Sequence, residues 1–222
     1  MEAGSNVMLP DYHASRFVKD RRRAVLWQCL WRYRFSAMVD PNDCVLDLGA
    51  GYGDFINSVV ARRRIAVDAW EDFPGFLVPG IEHQVGRVTE LNFLEDGTVD
   101  FAFASNLFEH LTKEEFATVL AGLHRKLSPK GTLTIVQPNY RYAYREYFDD
   151  FDHKTVYSHT SLADFLVAND YDVFLIEPRF MPLSLKGRVP VKPILIRAWL
   201  ASPIKPLGKQ MLVRARPRRG IQ

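Results

Sequence analysis

The stretch Val45-Leu46-Asp47-Leu48-Gly49-Ala50-Gly51-Tyr52-Gly53 decides the fold. An apolar run ends in an acid and passes into three glycines, each separated by one residue. Such a run reads as a buried strand, Cys44–Leu48, followed by a tight turn. Glycines there let the backbone take positive φ and let a ligand approach closely. A helix is expected next, from about Asp54, carrying Phe55, Ile56, Val59 and Val60. No Gly-Lys-Ser/Thr follows, so the turn is not a P-loop. The G-x-G-x-G spacing, with Asp54 where a last glycine or alanine belongs, departs from the dinucleotide fingerprint G-x-G-x-x-G.

Working outward, Ile65–Asp68 reads as a second short buried strand ending in an acid. Asp68 lies about 20 residues past the glycine turn, where an α/β unit sets a carboxylate beside a ribose. Gln84–Val88 reads as a third strand and Val99–Ala104 as a fourth. Thr112-Lys113-Glu114-Glu115 is a capping box opening a helix with Phe116, Val119, Leu120, Leu123 and Leu127 on one face. Leu127-Ser128-Pro129-Lys130-Gly131 is expected to turn the chain into a fifth strand, Thr132–Val136. A helix over Ser161–Ala168, capped by Ser161, precedes a sixth strand, Tyr171–Ile176. Gln210–Ala215 reads as the last. Buried strands alternating with amphipathic helices argue for a parallel sheet covered on both faces. From about His13 to Met38 the chain reads as helical up to the stop at Asp40-Pro41-Asn42.

Composition excludes several classes. The chain has 222 residues, 47% hydrophobic and 25% charged, with a net charge of +3. That is ordinary for one globular domain and gives no reason to expect nucleic acid as a partner. Two cysteines, Cys29 and Cys44, have neither disulfide nor metal spacing, which points to a reduced, cytoplasmic compartment. The start of the chain lacks the layout of a signal peptide, and no apolar run approaches the ~20 residues of a membrane-spanning helix.

With Asp47 two residues before the first glycine, the stretch resembles the first motif of class I S-adenosylmethionine-dependent methyltransferases. Ser105-Asn106-Leu107-Phe108-Glu109-His110-Leu111 is similar to that family's segment after the fourth strand. The resemblance implies an α/β, Rossmann-like doubly wound sheet of seven strands in order 3-2-1-4-5-7-6, with strand 7 antiparallel. It implies S-adenosyl-L-methionine as cofactor and S-adenosyl-L-homocysteine as product. Gly49, Ala50 and Gly51 would pass beneath the cofactor, Asp47 would take its amino group and Asp68 its ribose. Ala69 and Trp70 would lie by the adenine, and Ser105, Asn106 and Leu107 by the methionine. Arg87 stands where relatives often carry an acid that bonds the adenine. Adenine is then held by backbone near Val88 or stacked by Arg87. Residues 1–41 form an N-terminal helical cap, from which Tyr12 and Arg16 could reach the cofactor carboxylate. Residues 42–222 form the methyltransferase domain, with 137–160 and 178–208 as insertions on the substrate side.

Residues 137–159 leave the fifth strand at the edge where open α/β sheets bind ligands. The Pro-Asn…Tyr…Phe-Asp-His layout resembles methyltransferases of polysaccharide, glycolipid and secondary-metabolite pathways. The acceptor implied is a hydroxyl on a small molecule, a glycan or a glycolipid. A hydroxyl needs a positioned base. His153 is the first choice, oriented by Asp152 or Asp150, and His159 the second. Tyr140, Tyr144, Tyr147 and His110 would line the acceptor site. No metal is assigned: Asp149, Asp150, Asp152 and His153 offer donors for Mg²⁺, but their spacing matches no metal motif. The Pro-rich 178–208 segment, with Arg188, Lys192 and Arg197, is expected to pack a short helix on the domain, with peripheral membrane contact as the alternative. Three other readings remain: N-methylation of a small amine, a non-catalytic regulatory or scaffold protein of the same fold, and an NAD-linked reductase. Glycine spacing and a missing Tyr-x-x-x-Lys weaken the last.

Overall fold

The computed structural model describes residues 21–182 and 191–219. Its centre is one seven-stranded sheet: β1 (Cys44–Leu48), β2 (Arg63–Asp68), β3 (Glu82–Val85), β4 (Val99–Ser105), β5 (Leu127–Pro138), β6 (Tyr171–Met181) and β7 (Gln210–Pro217). The strand order is β3-β2-β1-β4-β5-β7-β6. Neighbours are parallel except at β7, which runs antiparallel between β5 and β6. The expected sheet order and the reversed last strand are both present.

Side chains alternate across the sheet, so the inner strands feed two cores. One face gathers Leu46, Leu48, Ile65, Val67, Ala102, Ala104, Leu133 and Ile135. Against it pack α2 (Lys113–Lys126), through Phe116, Val119, Leu120 and Leu123, and α4 (His159–Ala168, following the single-turn α3 at Tyr140–Ala143), through Leu162 and Leu166. The opposite face carries Val45, Ala66, Phe101, Phe103, Val136 and Leu212. It is covered by α1 (Arg21–Tyr33) and the 3₁₀ turn Phe35–Met38, through Leu26, Trp27, Leu30 and Phe35. Phe35 lies 5.3 Å from Phe103 and Trp27 5.8 Å from it, ring centre to ring centre.

Several local expectations are corrected. No α-helix follows the glycine turn; a single 3₁₀ turn, Ile56–Ser58, leads directly to β2. Only nine residues separate Gly53 from Arg63, and Val59 is already extended. The segment 21–41 supplies the helical cover that this connection omits. β3 lies two to three residues earlier than expected. It is an edge strand exposed at every position, so it carries no apolar period, and the Gly86 N–H donates to the Asp68 carbonyl just past its end. Ser128–Gly131 is absorbed into β5 as an irregularity between the pairs Val99–Leu127 and Phe101–Thr132. A Cβ on Gly131 would stand 2.7 Å from the Val99 carbonyl, so only glycine permits this close passage. The cap of α4 is Ser158, with Ser161 the reciprocal member of the box. The capping box at Thr112 and Glu115 is present as expected. The Pro-rich segment holds α5 (Pro193–Ala201), tied to β6 by Trp199 Nε1–H donating to the Phe180 carbonyl. Tyr12, Arg16 and Arg188 lie outside the described residues. No helix among the described residues is long and apolar enough to cross a membrane.

Candidate active site

Three turns meet at the carboxyl ends of the parallel strands. The first follows β1: Gly49, Gly51 and Gly53 all have positive φ. A Cβ on Gly49 would stand 2.9 Å from Leu107 Cδ1, so this turn lies directly against the turn after β4. A Cβ on Gly51 would meet nothing within 4 Å, which leaves its face open to a ligand. Asp68, at the end of β2, holds the turn in place. Its Oδ2 accepts from Gly51 N–H at 2.7 Å and its Oδ1 from Trp70 N–H at 2.9 Å. Trp70 packs with Tyr52 and Phe76, at centroid separations of 5.0 Å from each. Ala69 beside it is exposed. Asp47 is buried below, and the Ile56 N–H bonds its carboxyl. Burial pushes its pKa well above the carboxylate range, and the charges of Asp68 and Asp54 push it further. A buried acid raised by two other acids favours a cationic neighbour.

The second turn, 105–111, leaves β4. Asn106 has φ of 51°, uncommon outside glycine, and its Oδ1 accepts from Gln210 Nε2 at 2.8 Å. Its Nδ2 donates to Ser105 Oγ. Glu109 follows in the 3₁₀ turn Phe108–His110 and is completely buried. Neither carboxyl oxygen has a hydrogen-bond partner. Burial raises its pKa to about 8, the Asp150 charge adding to the rise. Its backbone carbonyl accepts from the N–H groups of Lys154 and Thr155, at 2.8 and 3.1 Å.

Those bonds hook the third segment, 139–159, onto the second. Thr155 Oγ1 donates to the Leu111 carbonyl and Tyr147 Oη to the Thr155 carbonyl, each at 2.6 Å. The hooks bring His153 to His110, with ring centres 4.9 Å apart. His153 Nδ1 sits 2.5 Å from the Tyr147 carbonyl and His110 Nδ1 3.3 Å from the Asp152 carbonyl. A ring nitrogen facing a carbonyl carries the hydrogen, so in each neutral ring the lone pair is on Nε2. Burial lowers the His110 pKa, and the neighbouring His153 lowers it further.

Other expected residues fall elsewhere. His153 is oriented by the Tyr147 carbonyl, while Asp152 contributes its own carbonyl to His110. Tyr147 is fully buried and forms the floor beneath His153, with ring centres 4.6 Å apart. Tyr140 packs edge-on against Tyr147, and Tyr144 is exposed beside Arg145. His159 belongs to a separate set, stacked on Tyr142 and 3.0 Å from the Asn139 amide nitrogen. Arg87 pairs with Glu115 at 2.5 Å, across to the start of α2, and Val88 is buried. Glu109 and Gln210 have no assigned role in the sequence reading. A charged residue directly after Leu107-Phe108, in a run closed by Leu111, is the signal that could have singled out Glu109. Gln210 comes to Asn106 only through the β5–β7 pairing.

Comparison with known proteins agrees with this fold. Residues 45–131 match the family described as the methyltransferase domain. An uncharacterised methyltransferase-like protein of Schizosaccharomyces pombe is 29% identical over 105 residues, 45% of this chain and 40% of that protein. The match thus spans about two fifths of the relative's length. A S-adenosylmethionine-dependent methyltransferase from Archaeoglobus fulgidus superposes with a TM-score of 0.65 at 23% identity, over 87% of this chain and 93% of that one. A chain of the complex between the Haloferax volcanii Trm112 methyltransferase activator and a methyltransferase gives 0.67 at 16% identity, over 91% and 92%. Geranyl diphosphate methyltransferase, solved with S-adenosylmethionine, gives 0.59 at 15%, over 87% and 85%. Residues 45–131 are thus similar to a methyltransferase domain, and the whole chain shares its fold with solved S-adenosylmethionine-dependent methyltransferases.

Proposed function

We propose that this chain transfers a methyl group from S-adenosylmethionine to a hydroxyl of a small or sugar-like acceptor, glycolipids included. The cofactor supplies an electrophilic methyl group on a positively charged sulfur. The first two turns suit it. Asp68 would hold the ribose, and the open face of Gly51, with Gly49 and Ala50, would pass beneath it. The raised Asp47 would favour its cationic end. Ser105, Asn106 and Leu107 would border the methionine. Ala69, Trp70 and backbone near Val88 would border the adenine, with Arg87 already committed to Glu115.

The observation that carries the hydroxyl reading is the pair His110 and His153, each with Nδ1 on a backbone carbonyl. Displacement at a methyl group needs the nucleophile aligned, water excluded and the hydroxyl proton removed. His110 lies on the turn that also carries Asn106 and Leu107, and His153 is brought against it from the segment 139–159. A lipid-linked acceptor is supported by the exposed Ile194, Leu195, Ile204 and Leu207, with Lys192 and Arg197 among them. They lie on the connection from β6 to β7, which leaves and re-enters the sheet at the edge holding the three turns. A cytoplasmic location accords with Cys29 and Cys44, both free and buried.

Calorimetric titration with S-adenosylmethionine, and with S-adenosylhomocysteine in parallel, is the first test. Saturable binding is expected for both, and absence of binding in folded protein overturns the reading. An acceptor screen with sugars, glycolipids and amines follows. His153→Ala should leave cofactor affinity intact and slow transfer to a hydroxyl by ~10²–10⁴. Transfer to an amine at an undiminished rate in that variant would establish N-methylation instead.

A further inference from the structure

We propose that Glu109, His110 and His153 form a binding site for one divalent transition-metal ion. One ligand atom from each lies within 4.8 Å of the other two. Glu109 is buried and both histidines are partly buried. Glu109 is completely buried, with both carboxyl oxygens unbonded. Burying a carboxyl group without partners costs free energy. A cation between the carboxylate and the two imidazoles removes that cost.

The surrounding contacts are those a metal site needs. A ligating histidine donates its second ring N–H to a carbonyl or carboxylate, which fixes the ring and aims the lone pair. Both histidines do so, His153 to the Tyr147 carbonyl and His110 to the Asp152 carbonyl. Carboxylate Glu109 is itself anchored, because its backbone carbonyl holds Lys154 and Thr155. The anchor on residues 154 and 155 also fixes His153 one position earlier. Two imidazoles with one carboxylate suit Zn²⁺, Mn²⁺, Fe²⁺ or Co²⁺ better than Mg²⁺, which prefers oxygen and keeps its waters. Three protein ligands leave at least one position open for an acceptor oxygen.

The catalytic consequence rests on the methyltransfer reading, whereas the binding does not. A hydroxyl bound at the open position would release its proton more readily, as metal-bound water does. The His153 lone pair would then serve the metal, and the acceptor oxygen would be oriented by the metal.

The test uses the whole chain, stripped with a chelator and dialysed. Zn²⁺ is titrated calorimetrically without cofactor or acceptor, and Co²⁺ is added to a second sample for its visible absorption. One ion per chain is expected, with the melting temperature raised by the metal. Glu109→Gln, which keeps the shape of the side chain, and His153→Ala should each weaken binding at least ~10-fold. His83→Ala, on the exposed β3 edge, controls for surface histidines and should bind as the wild type does. Absence of binding to the wild type, or equal binding by folded Glu109→Gln and His153→Ala, overturns the site. A chain that binds metal but not S-adenosylmethionine would overturn only the methyltransfer reading.

Discussion

Two glycines of one turn have different work. At Gly51 the space beyond a Cβ is empty, and φ is 51°. Gly51→Ala should therefore lose only the ~1–2 kcal/mol of a left-handed alanine in stability, yet put a methyl group into the open face proposed for the cofactor. At Gly53 a Cβ would stand 2.6 Å from Leu77 Cδ2 and 3.0 Å from Asn57 Nδ2. Asn57 bonds the Phe76 carbonyl and the Val78 N–H, so it has little freedom to move. Gly53→Ala should add ~1–3 kcal/mol of overpacking to the backbone strain. Calorimetry and thermal melting of the two variants separate the effects: the first should lose cofactor before fold, the second fold before cofactor. The turn itself was legible because glycine, acid and apolar strand are adjacent in sequence. The environment of Glu109 was not, since Lys154 and Thr155 are brought in from far along the chain by backbone bonds that carry no sequence signature.

At the scale of elements, the legible pieces are those whose signals are local. Thr112 and Glu115 close their box as the spacing predicts, and Thr112→Ala should cost ~1 kcal/mol in urea unfolding. This cap has a second duty, because Glu115 also holds Arg87 and so fastens the segment after β3 to α2. β1 and β4 read clearly from buried runs. β3 did not, since an exposed edge strand has no apolar period, and the missing helix after β1 did not, since an apolar 3₁₀ turn and an apolar helix share their composition. The segment 139–159 reads in sequence as a run of aromatics and acids of equal rank. Folding sorts them: Tyr147 becomes floor, Tyr144 surface, and His153 the side chain turned toward His110.

At the scale of the molecule, the segment 21–41 reads as a cap but packs as core. Trp27 and Phe35 meet Phe55 and Phe103 directly. Trp27→Ala should cost ~3–5 kcal/mol, measured by urea denaturation followed through the loss of far-ultraviolet dichroism. A surface cap would lose under ~1 kcal/mol from the same change. The placement of β7 has a consequence for how the protein comes to exist. Among the described residues it is the last strand in sequence and lies between β5 and β6, so during synthesis those two strands wait as open edges. Until Gln210 arrives, Asn106 lacks its amide partner and the end of β5 is unpaired. Assembly of the site is therefore coupled to a long-range closure, which slows folding. On the ribosome, the nascent chain would remain prone to edge-to-edge association until residues 210–217 are free to pair.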